Sequence, residues 1–133
     1  YSRGHRWEFD GGAVVAASSA PSIVPLPYSV EANVDPEEAF IASLSSCHML
    51  FFLAIAGKRG FVIDEYIDNS IGIMEKDGDG KISITKVTLR PQVTFSGDKQ
   101  PTLEKLEKMH HQSHEQCFIA NSVKTEVVIE VVL

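Results

Sequence analysis

Residues 35–60, DPEEAFIASLSSCHMLFFLAIAGKRG, carry the start and stop signals of a helix at their two ends. Asp35 suits an N-cap and Pro36 the first helical position. Glu37 and Glu38 fall in the first turn, where carboxylates complement the positive end of the helix dipole. Lys58 and Arg59 close the last turn, and Gly60 follows where a chain leaving a helix needs a residue tolerant of the left-handed region. Counted from Phe40 at 100° per residue, Leu44 falls at about 40°, Cys47 at about 340° and Phe51 at about 20°. The spacing thus predicts an apolar stripe with Cys47 facing inward. Ser43, Ser45 and Ser46 are small enough to let a second helix or a substrate approach closely.

Outward from this helix the pattern changes period. Residues 1–9, YSRGHRWEF, alternate, with Tyr1, Arg3, His5, Trp7 and Phe9 on one side, and Asp10, Gly11 and Gly12 turn the chain into AVVAASS as a hairpin. Pro21, Pro25 and Pro27 remove ladder donors and predict an irregular loop over 20–34, long enough to suggest a functional segment. Beyond Gly60, two alternating runs, DEYIDNSIGIME and KISITKVTLRPQVTF, meet at the turn DGDG (77–80). Pro101 and Thr102 open a second helix over LEKLEKMHHQSHEQC, FIANSV makes a short turn, and VKTEVVIEVVL reads as a final strand. Strands, helix, strands, helix and strand make an α+β fold in one domain over residues 1–133.

The chain has 133 residues and a net charge of −6, and no stretch gathers Lys and Arg, so a nucleic-acid partner is not expected. The longest apolar run, Met49 to Ala56, falls far short of the roughly 20 residues a bilayer span needs, so no membrane partner is expected either. With no secretion signal at the start of the sequence, a cytoplasmic location and reduced thiols are expected.

Three groups of residues carry possible chemistry. EKDGDGKISITK places Glu75, Asp77 and Asp79 like ligands of a calcium loop, but Lys86 stands where the closing Glu belongs and the flanks alternate like strands, so a hairpin turn is the better reading. His110, His111, His114 and Cys117 could supply metal ligands, the last three repeating at three-residue spacing on one helical side, yet no second Cys pair supports them, and a His-rich helix end also suits the dipole. No metal and no cofactor is expected. Cys47 and Cys117 are the only cysteines. A buried cysteine is usually a small core residue, whereas Cys117 precedes FIANSV, a helical turn whose N-terminal amides would stabilise a thiolate. Two thiols 70 residues apart can bridge only if the fold brings their Cα atoms to about 4.4–6.8 Å.

DPEEAFIASLSSCHML resembles the helix motif of the OsmC/Ohr family (osmotically inducible protein C and organic hydroperoxide resistance proteins), in which an (N/D)PE segment precedes the peroxidatic cysteine. HEQCFIANSV resembles the same family's second-cysteine motif, and with the matching strand order the likeness covers essentially the whole chain. It implies antiparallel sheets wrapped around a central helix carrying Cys47, a second helix, and an intertwined homodimer. It also implies reduction of organic hydroperoxides to alcohols, with Cys47 as peroxidatic thiol, Cys117 as resolving thiol, Glu37 holding an arginine beside the thiolate, and a lipoyl-type or small dithiol as reductant. In one respect the chain departs from the pattern. The best-known members carry the active-site Arg just after the first strand, where this chain has Asp10-Gly11-Gly12. Arg3 and Arg6 are the nearest candidates, and Arg3 shares its side of the strand with Trp7 and Phe9.

A free cysteine titrates near about 8.5, so a nucleophilic Cys47 needs a cation or donors beside it, and a guanidinium supplies both. Glu37 and Cys47 lie about 15 Å apart along a straight helix, too far to share an arginine within one subunit. Two copies packed across a two-fold axis would bring Glu37 of one toward Cys47 of the other. The alternative is a non-catalytic dimeric stress or small-ligand-binding protein on the same scaffold, with both cysteines as core residues.

Overall fold

The computed structural model describes residues 1–133 in the order β1 (His5–Glu8), β2 (Val14–Ala17), α1 (Pro36–Lys58), β3 (Val62–Asp68), β4 (Ile71–Lys76), β5 (Ile82–Leu89), β6 (Pro91–Ser96), α2 (Leu103–Gln116) and β7 (Glu126–Ile129), with a 3-10 turn over Ala120–Ser122 before the last strand. Two compact units divide it, residues 1–40 and 41–133.

In the first unit β1 and β2 form the expected antiparallel hairpin, His5 opposite Ala17. The proline-rich segment is tied to it by hydrogen bonds: Asn33 Nδ2 donates to the Ala17 carbonyl at 3.1 Å, the Val30 amide to Ser18 Oγ at 2.9 Å, and the Arg3 amide to the Tyr28 carbonyl at 2.8 Å. Asp35 and Glu38 form a reciprocal capping box, the Glu38 amide donating to Asp35 Oδ1 at 2.8 Å and the Asp35 amide to Glu38 Oε1 at 3.3 Å. The acidic start of α1 thus satisfies two amides that have no partner inside the helix.

In the second unit β3 pairs antiparallel with β6, and β4 pairs antiparallel with β5. Each of the two long alternating runs is in fact two strands, because the chain changes sheet at Asn69–Ser70 and again at Arg90. A carboxylate serves both breaks: Asp68, at the end of β3, accepts the Arg90 amide on Oδ1 at 2.7 Å and the Ser45 hydroxyl on Oδ2 at 2.5 Å. The sheets are not wholly antiparallel. After α2 the chain returns as β7 alongside β5 in parallel, Val87 opposite Val127, since a helical crossover reverses the direction that a hairpin would have given.

The core lies where α1 and α2 meet β3 and β6. Phe52, Ala56, Phe61, Leu106 and Met109 are buried there against Ile63, Tyr66, Val93, Phe95 and Val131. The buried stripe of α1 is Leu44, His48, Phe52 and Ala56, one position along from the Leu44, Cys47 and Phe51 stripe read from the wheel. The helix is apolar nearly all round, so its period does not fix the inward face. Cys47 is half-buried on the flank of that stripe. By length and hydropathy α1 could cross a membrane (23 residues, mean hydropathy 1.9); in this fold one stripe of it is buried and packs on α2 and the β3–β6 sheet, with 22 % of its most apolar window buried.

A candidate thiol site between two helices

Cys47 comes from the middle of α1 and Cys117 from the C-cap of α2, where Thr102 fixes the other end by accepting the Lys105 amide at 3.2 Å. Both cysteines are unpaired thiols, and the Cys47 sulfur is near enough to Cys117 to act on its thiol. Phe51, one turn beyond Cys47, and Phe118, next to Cys117, meet edge to face with centroids 5.0 Å apart, so an aromatic contact clamps the two helices beside the sulfurs.

Cys117 is 1 % exposed. Burial pushes its thiol up from the ordinary cysteine value and the neighbouring Cys47 sulfur adds to this, while the Ala120 and Ile119 amides pull the other way. The Ala120 amide donates to Cys117 Sγ at 3.4 Å, so the FIANSV turn does offer amides to sulfur, as its position after the cysteine predicts. A cavity of about 590 Å³ opens between the same helices, with Phe51, Ala54, Ile55, Lys58 and Arg59 on one side and Gln112, Glu115 and Gln116 on the other. Phe51 of the predicted apolar stripe lines it, whereas Leu44 is buried in the core and neither cysteine is among the lining residues.

Arg3 and Glu37 belong to the first unit. The Arg3 guanidinium lies 3.5 Å over the Tyr1 ring and donates to the Tyr1 carbonyl, while Arg6 pairs with Glu8 at 2.8 Å on the surface. Glu37 has one carboxylate oxygen, Oε2, buried with no hydrogen-bond partner. His111, His114 and Cys117 do not form a common site: His111 pairs with Glu115 at 2.9 Å on the exposed side, and Cys117 has left the helix. Asp77 closes the β4–β5 turn, accepting the Asp79 and Lys81 amides on Oδ1 and the Ser83 hydroxyl and Lys124 ammonium on Oδ2. Lys124 supplies the positive charge a bound calcium would have brought.

A buried imidazole pair escaped the sequence reading. His48 Nε2 and His110 Nδ1 are 2.9 Å apart, both residues are 1 % exposed, and the His110 ring stacks on Phe52 at 4.1 Å. Burial pushes His48 down to about 4, the neighbouring His114 adding to that and Asp68 opposing it. Burial and then His48 push His110 down to about 3. The available signal was the i, i+4 spacing of His48 with Leu44 and Phe52.

The α+β fold thus carries two free cysteines near each other, one from the middle of α1 and one from the C-cap of α2. The model of the OsmC-like protein family matches residues 30–132, and the chain belongs to that family. It is similar to an OsmC-like protein of unknown function from Vibrio cholerae, with 64 % identity over 99 % of this chain and 86 % of that one and a TM-score of 0.98. The fold is shared with the organic hydroperoxide resistance protein OhrB of Bacillus subtilis (20 % identity, 99 % and 98 % coverage, TM-score 0.65) and with an organic hydroperoxide resistance protein from Elizabethkingia anophelis (14 % identity, 97 % and 86 % coverage, TM-score 0.73). No curated protein matches the chain.

Proposed function

We propose that this protein is a thiol-dependent peroxidase that reduces organic hydroperoxides to alcohols. The proximity of Cys47 and Cys117, whose neighbours Phe51 and Phe118 meet edge to face, carries the reading, because a sulfenic acid formed on one sulfur would have the other thiol near it. Cys47, the less buried of the two, attacks the O–O bond as thiolate. Its sulfur takes the terminal oxygen as sulfenic acid, and the alkoxide leaves and is protonated to the alcohol. The Cys117 thiol then displaces water from the sulfenic acid to form the disulfide, and a dithiol of lipoyl or similar type reopens it by two exchanges. The aromatic rings of Phe51 and Phe118 beside the sulfurs support an organic rather than an inorganic peroxide.

Glu37 is the residue that would orient an arginine at the thiolate, with Arg3 as first candidate and Arg6 as second. Its buried, unpartnered oxygen supports a cation arriving from outside its own unit. A second copy of the chain supplies such a cation in a homodimer. That copy would also cover α1, which is apolar all round but has only 22 % of its most apolar window buried in a single chain. The proposed location is the cytoplasm, where thiols stay reduced.

Stopped-flow thiol titration with cumene hydroperoxide tests the reading. Loss of two thiols per chain, faster than free cysteine by at least about 100-fold and abolished by Cys47→Ser, is expected. A rate equal to that of free cysteine, unchanged by Cys47→Ser, would favour the non-catalytic binding protein instead.

A further inference from the structure

Toward β7, α2 presents a second group of chemistry-bearing residues that includes neither cysteine. Counted from Glu107 at 100° per residue, His114 falls at about 340° and His110 at about 300°, so the three share one face of the helix. All three line a single cavity of about 460 Å³ closed on its far side by Val127 and Ile129 of β7. Two imidazole nitrogens there, His110 Nε2 and His114 Nδ1, are buried and have no hydrogen-bond partner. His110 is 1 % exposed, so this polar edge is built into the protein rather than left over at its surface. An unpaired imidazole nitrogen held from water is costly unless something binds it.

The geometry points to a site for a borderline divalent transition metal, with Zn²⁺ as its representative, held by His110, His114 and Glu107. Histidines at i and i+4 present their rings on one helical face for a shared ion, as in the two-histidine zinc helices, and a glutamate three residues before the first histidine adds an oxygen from the same side. The outer support is present as well. His110 is bound through Nδ1 to His48 Nε2, and metal-ligating histidines commonly donate their other N–H to an acceptor that fixes the ring. As the side chains stand, no three ligating groups converge on one point, so loading requires the exposed Glu107 to turn inward, with water completing the shell. Imidazole and carboxylate together suit zinc, nickel and cobalt and discriminate against magnesium and calcium. The site shares no residue with Cys47 or Cys117.

Untagged, chelator-stripped full chain is titrated with Zn²⁺ against a chromophoric chelator at pH 7.5, with Co²⁺ absorption reporting the ligand field. One ion per chain is expected, weakened at least about tenfold by His114→Gln and by Glu107→Gln and unchanged in the Cys47→Ser/Cys117→Ser double variant. His114 and Glu107 are not core residues, so both variants remain informative if His110→Asn fails to fold. No binding by wild type at about 100 μM Zn²⁺, undiminished binding in His114→Gln, or loss of binding in the double serine variant would overturn the site. Undiminished binding in Glu107→Gln alone would overturn the assignment of the third ligand.

Discussion

Joining Cys47 to Cys117 should stabilise the folded chain strongly, and the size of the effect follows from where the two residues sit. The bridge would close a loop of 70 residues, and chain entropy then removes about 4.4 kcal/mol from the unfolded state at 25 °C. Folded-state strain sets how much of this survives. The two thiols are already neighbours, with Cys117 at the C-cap of α2 rather than inside the helix, so most of it should. Urea unfolding of the reduced and diamide-oxidised protein, at one protein concentration because association also shifts the midpoint, should differ by about 3–4 kcal/mol. Melting should rise by roughly 10 °C or more. The double serine variant should show no such difference. An oxidised chain no more stable than the reduced one would mean that the sulfurs approach without bridging geometry, and the proposed resolving role of Cys117 would go with it.

Further outcomes follow from the packing. In metal-free protein, His48 and His110 stay neutral when folded but take protons near pH 6.5 when unfolded, so stability present above pH 6.5 is lost as the pH falls toward 4. Each imidazole should cost on the order of 2 kcal/mol by pH 5, read from urea midpoints, and the slope should flatten in a His48→Gln/His110→Gln variant. Phe52→Ala removes the ring that packs on Tyr66, Phe95 and His110 and should destabilise by about 3–5 kcal/mol in the same assay. Light scattering with size exclusion should find a dimer, and a stable, active monomer would refute the shared-site proposal.

Local chemistry made the helix ends legible. Asp35, Pro36 and Glu38 mark the start of α1, Gly60 with φ of 81° marks its exit, and Thr102 caps α2. What depended on long-range packing was not legible. A helix apolar on all sides leaves its buried face undecided, which is why His48 was missed and Cys47 placed too far inward. The breaks at Asn69–Ser70 and Arg90 need Asp68 and a sheet change that alternation cannot register, and the parallel return of β7 depends on how α2 crosses over. The two motifs around the cysteines did carry the family, since each preserves a local geometry, the acidic-capped helix and the amide-bearing turn. Their convergence needs the whole second unit. Arg3 and Arg6 illustrate the limit, because strand alternation assigns a side but no partner.

Intact-mass measurement of the reduced chain after one equivalent of an organic hydroperoxide tests the central proposal most directly. A loss of about 2 Da, with no covalent dimer and no such change in Cys47→Ser or Cys117→Ser, is the predicted result. A gain of about 16 or 32 Da that persists on Cys47 while Cys117 remains a free thiol would contradict it.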